Sequence, residues 1–204
     1  MRECTVVLKM AASLSESGDR DYIGADRGAL HLAEQGIRMV LAIGDFDSVS
    51  EEEMKRIREF SDEVMALNPI KDDSDSEAAV DEAVRRGYEK IYIAGAFGGR
   101  IDHEIVNLRL CFKYPERVIL TDPGNRCIAL KEGTHVIKKE GYRYLSVFAQ
   151  KKCEISLKGF KYPLDHRVLD ETSLYGLSNE ILEEEGIIEV HSGMILVIMS
   201  RDKA

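Results

Sequence analysis

The sequence lacks a long apolar run and a cluster of basic residues, and each absence excludes a class of protein. Its longest apolar stretch, Met194–Met199, is far too short to span a bilayer. The net charge is −9, and no run of Lys and Arg offsets that balance locally. Such a surface argues against general binding of nucleic acid or of an anionic membrane. We therefore expect no nucleic-acid partner and no membrane partner.

Cysteine is also scarce. The four cysteines, Cys4, Cys111, Cys127 and Cys153, form no CxxC pair and have no metal-ligand spacing. This scatter indicates buried or half-buried free thiols in a reducing compartment, rather than disulfides or a zinc site. The N-terminal residues also lack the hydrophobic region of a signal peptide. We expect a cytoplasmic protein.

Strand-like apolar runs alternate with helix-like patterns through residues 1–124. Capping-box signals at Ser50 with Glu53 and at Ser74 with Glu77 each indicate a helix start. This alternation predicts an α/β N-terminal domain with a mainly parallel sheet flanked by helices. The predicted strands are Thr5–Leu8, Met39–Ile43, Glu63–Leu67, Lys90–Ala94 and Arg117–Thr121.

Residues 125–204 carry a different pattern, short strand-like segments separated by turn residues, with no long helix. The pattern indicates a small antiparallel β-sandwich or barrel, and we take the C-terminal domain to be an all-β sandwich. The predicted strands are Asn125–Leu130, Thr134–Lys138, Tyr142–Gln150, Cys153–Leu157, Ile187–Val190 and Met194–Ser200, the last two joined by a hairpin at His191–Gly193.

Polar loops follow several of the predicted strands. Gly44–Ser48, Lys71–Asp75 and Gly98–His103 each come after a short apolar run, and Asp26 lies in a similar segment, Gly24–Gly28. In an open α/β sheet, ligands bind at the carboxyl ends of the strands. Crowded carboxylates repel unless a cation holds them, and Mg²⁺ takes oxygen ligands beside phosphates. One such loop would mean little, but four at one edge predict a metal-assisted phosphate site.

The aspartates of two loops are spaced so that they could share a cation. Asp45 and Asp47 are two residues apart, so in an extended segment their carboxylates face the same side. A turn or a helix cap is the structural alternative. Asp72 and Asp75 lie three apart at a helix start, where stabilisation by the helix dipole is the alternative. That alternative does not explain why Lys71 lies beside these aspartates. Its ammonium could bind a phosphate oxygen.

The third loop, Gly98–His103, has the most features of a phosphate-binding loop. Gly98 and Gly99 allow close approach of the backbone, and the following helix offers its N-terminal amides to an anion. Arg100 can bind a phosphate through two parallel hydrogen bonds. A Gly-Gly pair alone is weak evidence, since turns use it freely. His103 could equally be a hydrogen-bonding residue at the helix start.

In their order and approximate spacing, these motifs resemble those of the thiamine pyrophosphokinase family. The resemblance covers nearly the whole chain. It implies transfer of pyrophosphate from ATP to the thiamine hydroxyl, giving thiamine diphosphate and AMP. The matching segments are Ala25–Gly28, Gly44–Ser48, Lys71–Asp75, Gly98–His103 with Asn107, and Gly176–Glu180.

The resemblance also implies cofactors, partners and residue roles. Mg²⁺ is the expected cofactor, ATP the co-substrate, and the chain is expected to form a homodimer with the active site at the subunit interface. Residues 1–124 would be the catalytic domain that binds ATP and Mg²⁺, and residues 125–204 the domain for thiamine binding and dimerisation. Asp45, Asp47, Asp72 and Asp75 would be the Mg²⁺ carboxylates and, with Arg100, the catalytic residues. The binding residues for ATP and thiamine would be Asp26, Lys71, Gly98, Gly99, Arg100, Asp102, His103, Asn107, Ser178 and Asn179.

The sequence departs from the family pattern in two informative places. Asp26 is followed by Arg27, where many members have glycine, which would add a cation near the phosphates. The chain contains no tryptophan, so stacking of tryptophan on thiamine, as in eukaryotic relatives, is absent. Two alternatives to the family's reaction stay open from the residues: a pyrophosphokinase for another small alcohol, and a non-catalytic module that senses a nucleotide or thiamine.

Overall fold

The computed structural model describes residues 1–11, 14, 20–68 and 74–202. The chain forms two compact units, Met1–Asn107 and Leu108–Ala204. The functional boundary predicted after residue 124 stays a prediction. Two of the predicted site residues, Lys71 and Asp72, lie outside the described residues. In the described part of the chain, no helix has both the length and the apolar character needed to cross a membrane.

The first unit is a parallel sheet with helices between its strands. Its strands pair in the spatial order fifth, first, second, third, fourth, and every neighbouring pair is parallel. This confirms the predicted α/β region. The elements are β1 (Glu3–Val7), β2 (Asp21–Ala25), α1 (Arg27–Glu34), β3 (Leu41–Gly44), α2 (Glu51–Phe60), β4 (Val64–Ala66), α3 (Asp75–Arg85), β5 (Lys90–Ala94) and α4 (Ile101–Lys113), which begins in this unit.

The core of the first unit packs α1 and α2 against the sheet. β3 is buried along its whole length and β1 along nearly all of its length, as continuous apolar runs predict for strands covered on both faces. This packing fixes the strand ends from which the polar loops emerge. The buried cluster consists of Val7, Ala29, Leu30, Leu32, Ala33, Met39, Ala42 and Ile57.

Parallel strands bring their carboxyl ends to one edge, and three polar segments begin there. Asp26 follows β2 directly, Asp45 follows β3, and Gly95 follows β5. The Asp26 N–H donates to the Ile43 carbonyl oxygen at 2.8 Å. A β-carbon on Gly44 would lie only 3.0 Å from the Asp26 Cα, so glycine permits this close approach. The ends of β2 and β3 therefore hold Asp26 beside Asp45.

The two predicted helix starts are confirmed by their hydrogen bonds. At α2, the Ser50 hydroxyl accepts from the Glu53 N–H at 3.3 Å, and the Glu53 carboxylate accepts from the Ser50 N–H at 2.8 Å. At α3, the Ser74 hydroxyl accepts from the Glu77 N–H at 3.2 Å. The second cap makes Asp75 the first residue of α3 and so places it at the loop edge of the sheet.

The second unit is rich in antiparallel strands. Its strands are β6 (Val118–Thr121), β7 (Asn125–Lys138), β8 (Tyr144–Ala149), β9 (Cys153–Lys158), β10 (Leu164–Leu169) and β11 (Glu185–Ser200). β7 pairs along both halves of β11, while β9 pairs with the first half of β11 and β8 with the second. One buried cluster collects side chains from these strands. The prediction of a strand-rich C-terminal region is confirmed, and its description as a sandwich stays a prediction.

The predicted hairpin at His191–Gly193 is wrong. β11 continues through these residues, and both of its halves bond to β7, with a register shift between Val190 and Met194. The turn residues there produce a bulge, at which Gly193 has φ 79°, rather than a reversal of the chain. β7 likewise joins two segments predicted as separate strands.

The four cysteines are buried and free, as predicted. Burial raises the pKa of the Cys111 thiol to about 12, which keeps it protonated at neutral pH. The Cys111 thiol is therefore a packing residue rather than a nucleophile.

Candidate functional site

A cleft of about 610 Å³ lies at the carboxyl edge of the sheet in the first unit. Its walls come from the segments that follow β1, β2, β3 and β5, and from the first turns of α3 and α4. The predicted site residues that line it are Asp26, Asp45, Asp75, Gly99, Arg100, His103 and Asn107. The edge predicted to bind a ligand is thus concave, and loops distant in sequence meet there.

Asp26 is the most unusual carboxylate of the cleft. Its Oδ1 is buried and accepts no hydrogen bond from any described residue, while Oδ2 accepts a long bond, 3.5 Å, from the Ser48 hydroxyl. Burial raises the pKa of Asp26 more than a backbone hydrogen bond from Arg27 lowers it, and the negative charges of Asp75, Asp45 and Asp47 raise it further. A buried oxygen that accepts no hydrogen bond and lies close to other carboxylates is costly, because burial removes the solvation of its charge.

The backbone at Asp26 is also strained. Asp26 has φ 48° and ψ −121°, a conformation that residues other than glycine rarely adopt. Such strain persists only where surrounding contacts fix it, here the bond to Ile43 and the bond that the Asp26 carbonyl accepts from the Ala29 N–H. The fold therefore holds this carboxylate in place despite opposing electrostatics and backbone preference.

Asp45 and Asp47 belong to a tight turn. The Asp45 carboxylate accepts from the Asp47 N–H at 3.2 Å, and Phe46 between them has φ 55°. The turn alternative is thus realised for Asp45, but the same residue also lines the cleft. Asp47 is exposed, and its charge acts on Asp26. Turn formation and a role in the site are compatible here.

The donor set of the cleft suits a hard cation. Carboxylate oxygens are the ligands that Mg²⁺ prefers, and the Asp26 oxygen without a donor would gain an opposite charge from one. Within the described residues, no three His, Cys, Asp or Glu side chains come close enough together to form a metal site by themselves. Asp72, the fourth predicted metal carboxylate, is outside that set of residues. The carboxylates present therefore fit a metal without completing its coordination.

The glycine turn before α4 is held by a side chain that the sequence did not single out. The N–H groups of Gly98 and Gly99 both donate to the Glu104 Oε1, at 2.9 and 3.2 Å. The two glycines predicted to allow close approach of an anion thus already bind a carboxylate of the same chain through their N–H groups. Glu104 itself lines the cleft.

Arg100 and Asp102 form a two-bond ion pair. The Arg100 Nε lies 3.1 Å from the Asp102 Oδ1, and its Nη2 lies 2.5 Å from Oδ2. The pair raises the pKa of Arg100 and lowers that of Asp102. Both side chains are exposed. The guanidinium therefore already binds an oxyanion in the planar geometry that a phosphate would also satisfy.

His103 and Asn107 have local contacts of their own. The His103 backbone N–H donates to the Asp102 Oδ1 at 3.0 Å, and His103 lines the cleft. Asn107 is buried, and its Nδ2 donates to the Ala96 carbonyl oxygen at 2.9 Å. Asn107 thus anchors the segment that connects β5 to α4.

Ser178 and Asn179 belong to the second unit. The Asn179 Oδ1 accepts from the N–H groups of Tyr162 and Glu180, and its Nδ2 donates to the Tyr162 carbonyl oxygen. Ser178 has φ 56°, and its N–H donates to the Ser146 hydroxyl. The side chain of Asn179 fixes neighbouring backbone, and the contact of both residues with substrate stays a prediction.

Sequence reasoning missed the segment after β1. Lys9 and Met10 line the cleft beside Gly95, where a β-carbon would lie 2.3 Å from the Ala11 nitrogen. Lys9 contributes positive charge to a cleft dominated by carboxylates. The strand-end rule that selected the other loops would have found Lys9, had it also been applied to the first predicted strand.

Comparison with known proteins identifies relatives over nearly the whole chain. Residues 17–120 match the family model for the thiamin pyrophosphokinase catalytic domain, and residues 134–195 match the model for the thiamin pyrophosphokinase vitamin B1 binding domain. A thiamine pyrophosphokinase of Bacillus subtilis is 34% identical over 187 residues, which cover 89% of this chain and 87% of that protein.

Solved structures agree with this result. The crystal structure of a thiamin pyrophosphokinase family protein from Enterococcus faecalis is 34% identical and has a TM-score of 0.90, with 100% of both chains covered. The crystal structure of thiamine pyrophosphokinase from Bacillus subtilis is 29% identical, with a TM-score of 0.89 and the same coverage.

We predict that Asp26→Asn stabilises the ligand-free chain at neutral pH. When folding raises the pKa of an acid, the folded protein loses stability as the pH rises above the ordinary pKa of that acid, here 3.8, and through the raised pKa. The uncharged amide removes this loss, so the melting temperature should rise by up to about 2 °C, since solvent screens the charge of a partly exposed group. The gain should shrink as the pH falls toward 3.8.

Thermal unfolding followed by circular dichroism at several pH values checks this. Asp62→Asn is the matched control, since Asp62 is exposed and its carboxylate pairs with Arg38 at 2.8 Å. The control should give no gain. A lower melting temperature for Asp26→Asn at neutral pH would show that the Asp26 charge is compensated in the free chain.

Proposed function

The chain belongs to the thiamin pyrophosphokinase family, and from that premise we propose how its residues transfer pyrophosphate from ATP to the hydroxyl of thiamine. The products of this reaction are thiamine diphosphate and AMP. The observation that carries the proposal is the carboxylate cluster around Asp26, whose buried Oδ1 accepts no hydrogen bond from any described residue, at the strand edge where an α/β sheet binds its ligand.

We assign ATP and Mg²⁺ to residues 1–124, and thiamine binding to residues 125–204. The positions of the two family matches support this division, since the catalytic model ends at residue 120 and the vitamin-binding model begins at residue 134. The α/β region supplies the cleft, and the strand-rich region supplies Ser178 and Asn179 for the acceptor. We propose that the enzyme works in the cytoplasm, a reducing compartment that suits its four free cysteines.

Asp45, Asp47, Asp72 and Asp75 are the proposed Mg²⁺ carboxylates, and the unpartnered oxygen of Asp26 would face the same charge. A bound Mg²⁺ would neutralise charge on the phosphates that the thiamine hydroxyl approaches. Transfer of this kind depends on positioning and charge neutralisation more than on covalent catalysis. The aspartates therefore act by holding the cation at the strand edge.

The phosphates themselves are assigned to Lys71 and Arg100. We propose that Arg100 exchanges Asp102 for a phosphate when ATP binds, because both partners accept two parallel hydrogen bonds from a guanidinium. This exchange would release the Asp102 carboxylate to contact substrate. Exposure of both side chains supports the exchange, since an exposed ion pair contributes little stability.

We propose that the enzyme is a homodimer with its active site at the subunit interface. Support comes from large apolar side chains that the second unit leaves exposed, including Leu174 at 79%, Leu182 at 62% and Leu177 at 61%. A second copy would cover them. Sedimentation equilibrium of the purified chain should give twice the monomer mass, and a monomer at micromolar concentration would contradict the proposal.

The reaction itself is tested with purified chain, Mg²⁺-ATP and thiamine. We expect AMP and thiamine diphosphate in equal amounts, separated and quantified by chromatography. ADP with thiamine monophosphate would mean transfer of a single phosphoryl group and would overturn the proposal. Binding of both ligands without turnover would favour the sensing module, and turnover with a different alcohol only would favour the other pyrophosphokinase.

Asp47→Asn separates the metal role from the structural one in the same assay. Asp47 is exposed and contributes its backbone N–H, not its carboxylate, to the turn hydrogen bond with Asp45. Turnover should fall by about 100-fold or more, beyond the 10–100-fold typical of residues that only support a metal ligand. The melting temperature without ligand should stay within about 1 °C of the parent, as for other surface substitutions. A large loss of stability would assign Asp47 to the turn.

A further inference from the structure

The glycine turn before α4 carries no side chains that could anchor it. Gly98 and Gly99 expose only backbone, and Gly98 has φ 92°, a conformation that leaves the chain free to rearrange unless something fixes it. Arg100 follows immediately, so the position of its guanidinium depends on this turn. The residue that fixes the turn therefore affects how Arg100 is presented to a ligand.

Glu104 meets both amides of the turn with one oxygen. Its Oε1 accepts from the Gly98 N–H at 2.9 Å and from the Gly99 N–H at 3.2 Å. Successive N–H groups converging on one point form an anion-binding concavity. Because the carboxylate is charged, these bonds are stronger than bonds between neutral groups. The same contacts keep the Glu104 charge compensated in a cleft that already holds several aspartates.

Asn107 secures the other end of the segment from the same helix face. Residues three apart on a helix are neighbours on its surface, so Glu104 and Asn107 project side by side from the first turns of α4. Asn107 is buried and donates to the Ala96 carbonyl oxygen at 2.9 Å. Two side chains of α4 thus hold the segment from Ala96 to Gly99. Asn107 binds its carbonyl oxygen at Ala96, and Glu104 binds its N–H groups at Gly98 and Gly99.

We propose that Glu104 is a positioning residue that holds the Gly98–Gly99 turn so that Arg100 meets the nucleotide phosphates. The proposal rests on the assignment of ATP to this cleft. Glu104 acts through the turn and through Arg100, and it does not contact the reacting atoms. Its essential property is an acceptor oxygen at this point, which glutamine can also provide and alanine cannot.

The test compares Glu104→Ala with Glu104→Gln. Alanine should raise the KM for Mg²⁺-ATP about tenfold while kcat changes less than threefold, because the loss falls on phosphate binding. Glutamine should stay within about twofold of the parent in both constants, because its amide oxygen accepts the same two protons. Glu59→Ala is the control, an exposed glutamate of α2 paired with Arg56, and should leave both constants unchanged.

Amide hydrogen exchange of Gly98 and Gly99 provides a readout that needs no turnover. In the ligand-free parent and in Glu104→Gln both amides should be protected, and in Glu104→Ala their exchange should accelerate at least tenfold. Unchanged exchange in the alanine variant would overturn the proposal, as would a lower KM, which would make the carboxylate a competitor of the phosphates. Equal loss of activity and of amide protection in Glu104→Gln and Glu104→Ala would overturn it too.

An inactive parent would contradict the proposed function, while the exchange measurement would still decide whether Glu104 holds the turn.

Discussion

Burial of one carboxylate among others at one edge of the parallel sheet is the constraint around which the first unit is organised. Asp26 stands at its centre, with a buried oxygen that no described donor reaches and with the charges of Asp45, Asp47 and Asp75 nearby. Folding brings these groups together because parallel strands end at the same edge. The cost is carried by the core of β1, β3, α1 and α2, which is assembled entirely from apolar side chains. A cation bound at this edge would offset the unfavourable charge of the cluster.

The two sides of the cleft have complementary tasks. The aspartates that follow β2 and β3 and begin α3 concentrate negative charge, which suits a metal ion. The segment before α4 gathers backbone donors and the Arg100 guanidinium, which suit phosphate oxygens. In the free chain these donors already bind carboxylates, Glu104 on the amides and Asp102 on Arg100. In the free chain, carboxylates of the protein therefore occupy the donors that we assign to phosphate. These contacts keep the donors oriented.

The sequence predicts features that depend on local chemistry or on one dominant pattern. The serine caps of α2 and α3 were found because a hydroxyl and an acid three residues later satisfy helix amides locally. The parallel sheet followed from continuous apolar runs alternating with helical patterns. The cleft followed from the rule that strand ends share an edge, and the identity of the substrate came from family resemblance.

Features set by tertiary geometry were missed. The contact of Glu104 with Gly98 and Gly99 depends on how the turn folds back on the helix, and no spacing rule encodes it. The strained conformation of Asp26 exists because Ile43 and Ala29 fix its backbone from two elements. The predicted hairpin in β11 failed for the same kind of reason: the turn residues at His191–Gly193 are overridden by pairing of both flanking halves with β7.

The most direct test of the account is a pH titration of the Asp26 carboxyl by carbon-13 NMR, assigned with the asparagine variant. In the free chain Asp26 should titrate above the ordinary value of 3.8, because burial and neighbouring charges oppose its ionisation. With Mg²⁺ and a non-hydrolysable ATP analogue bound, its pKa should fall below that of the free chain. A pKa that is ordinary in the free chain, or one that the metal and nucleotide leave unchanged, would contradict the claim that this cluster is arranged for a cation.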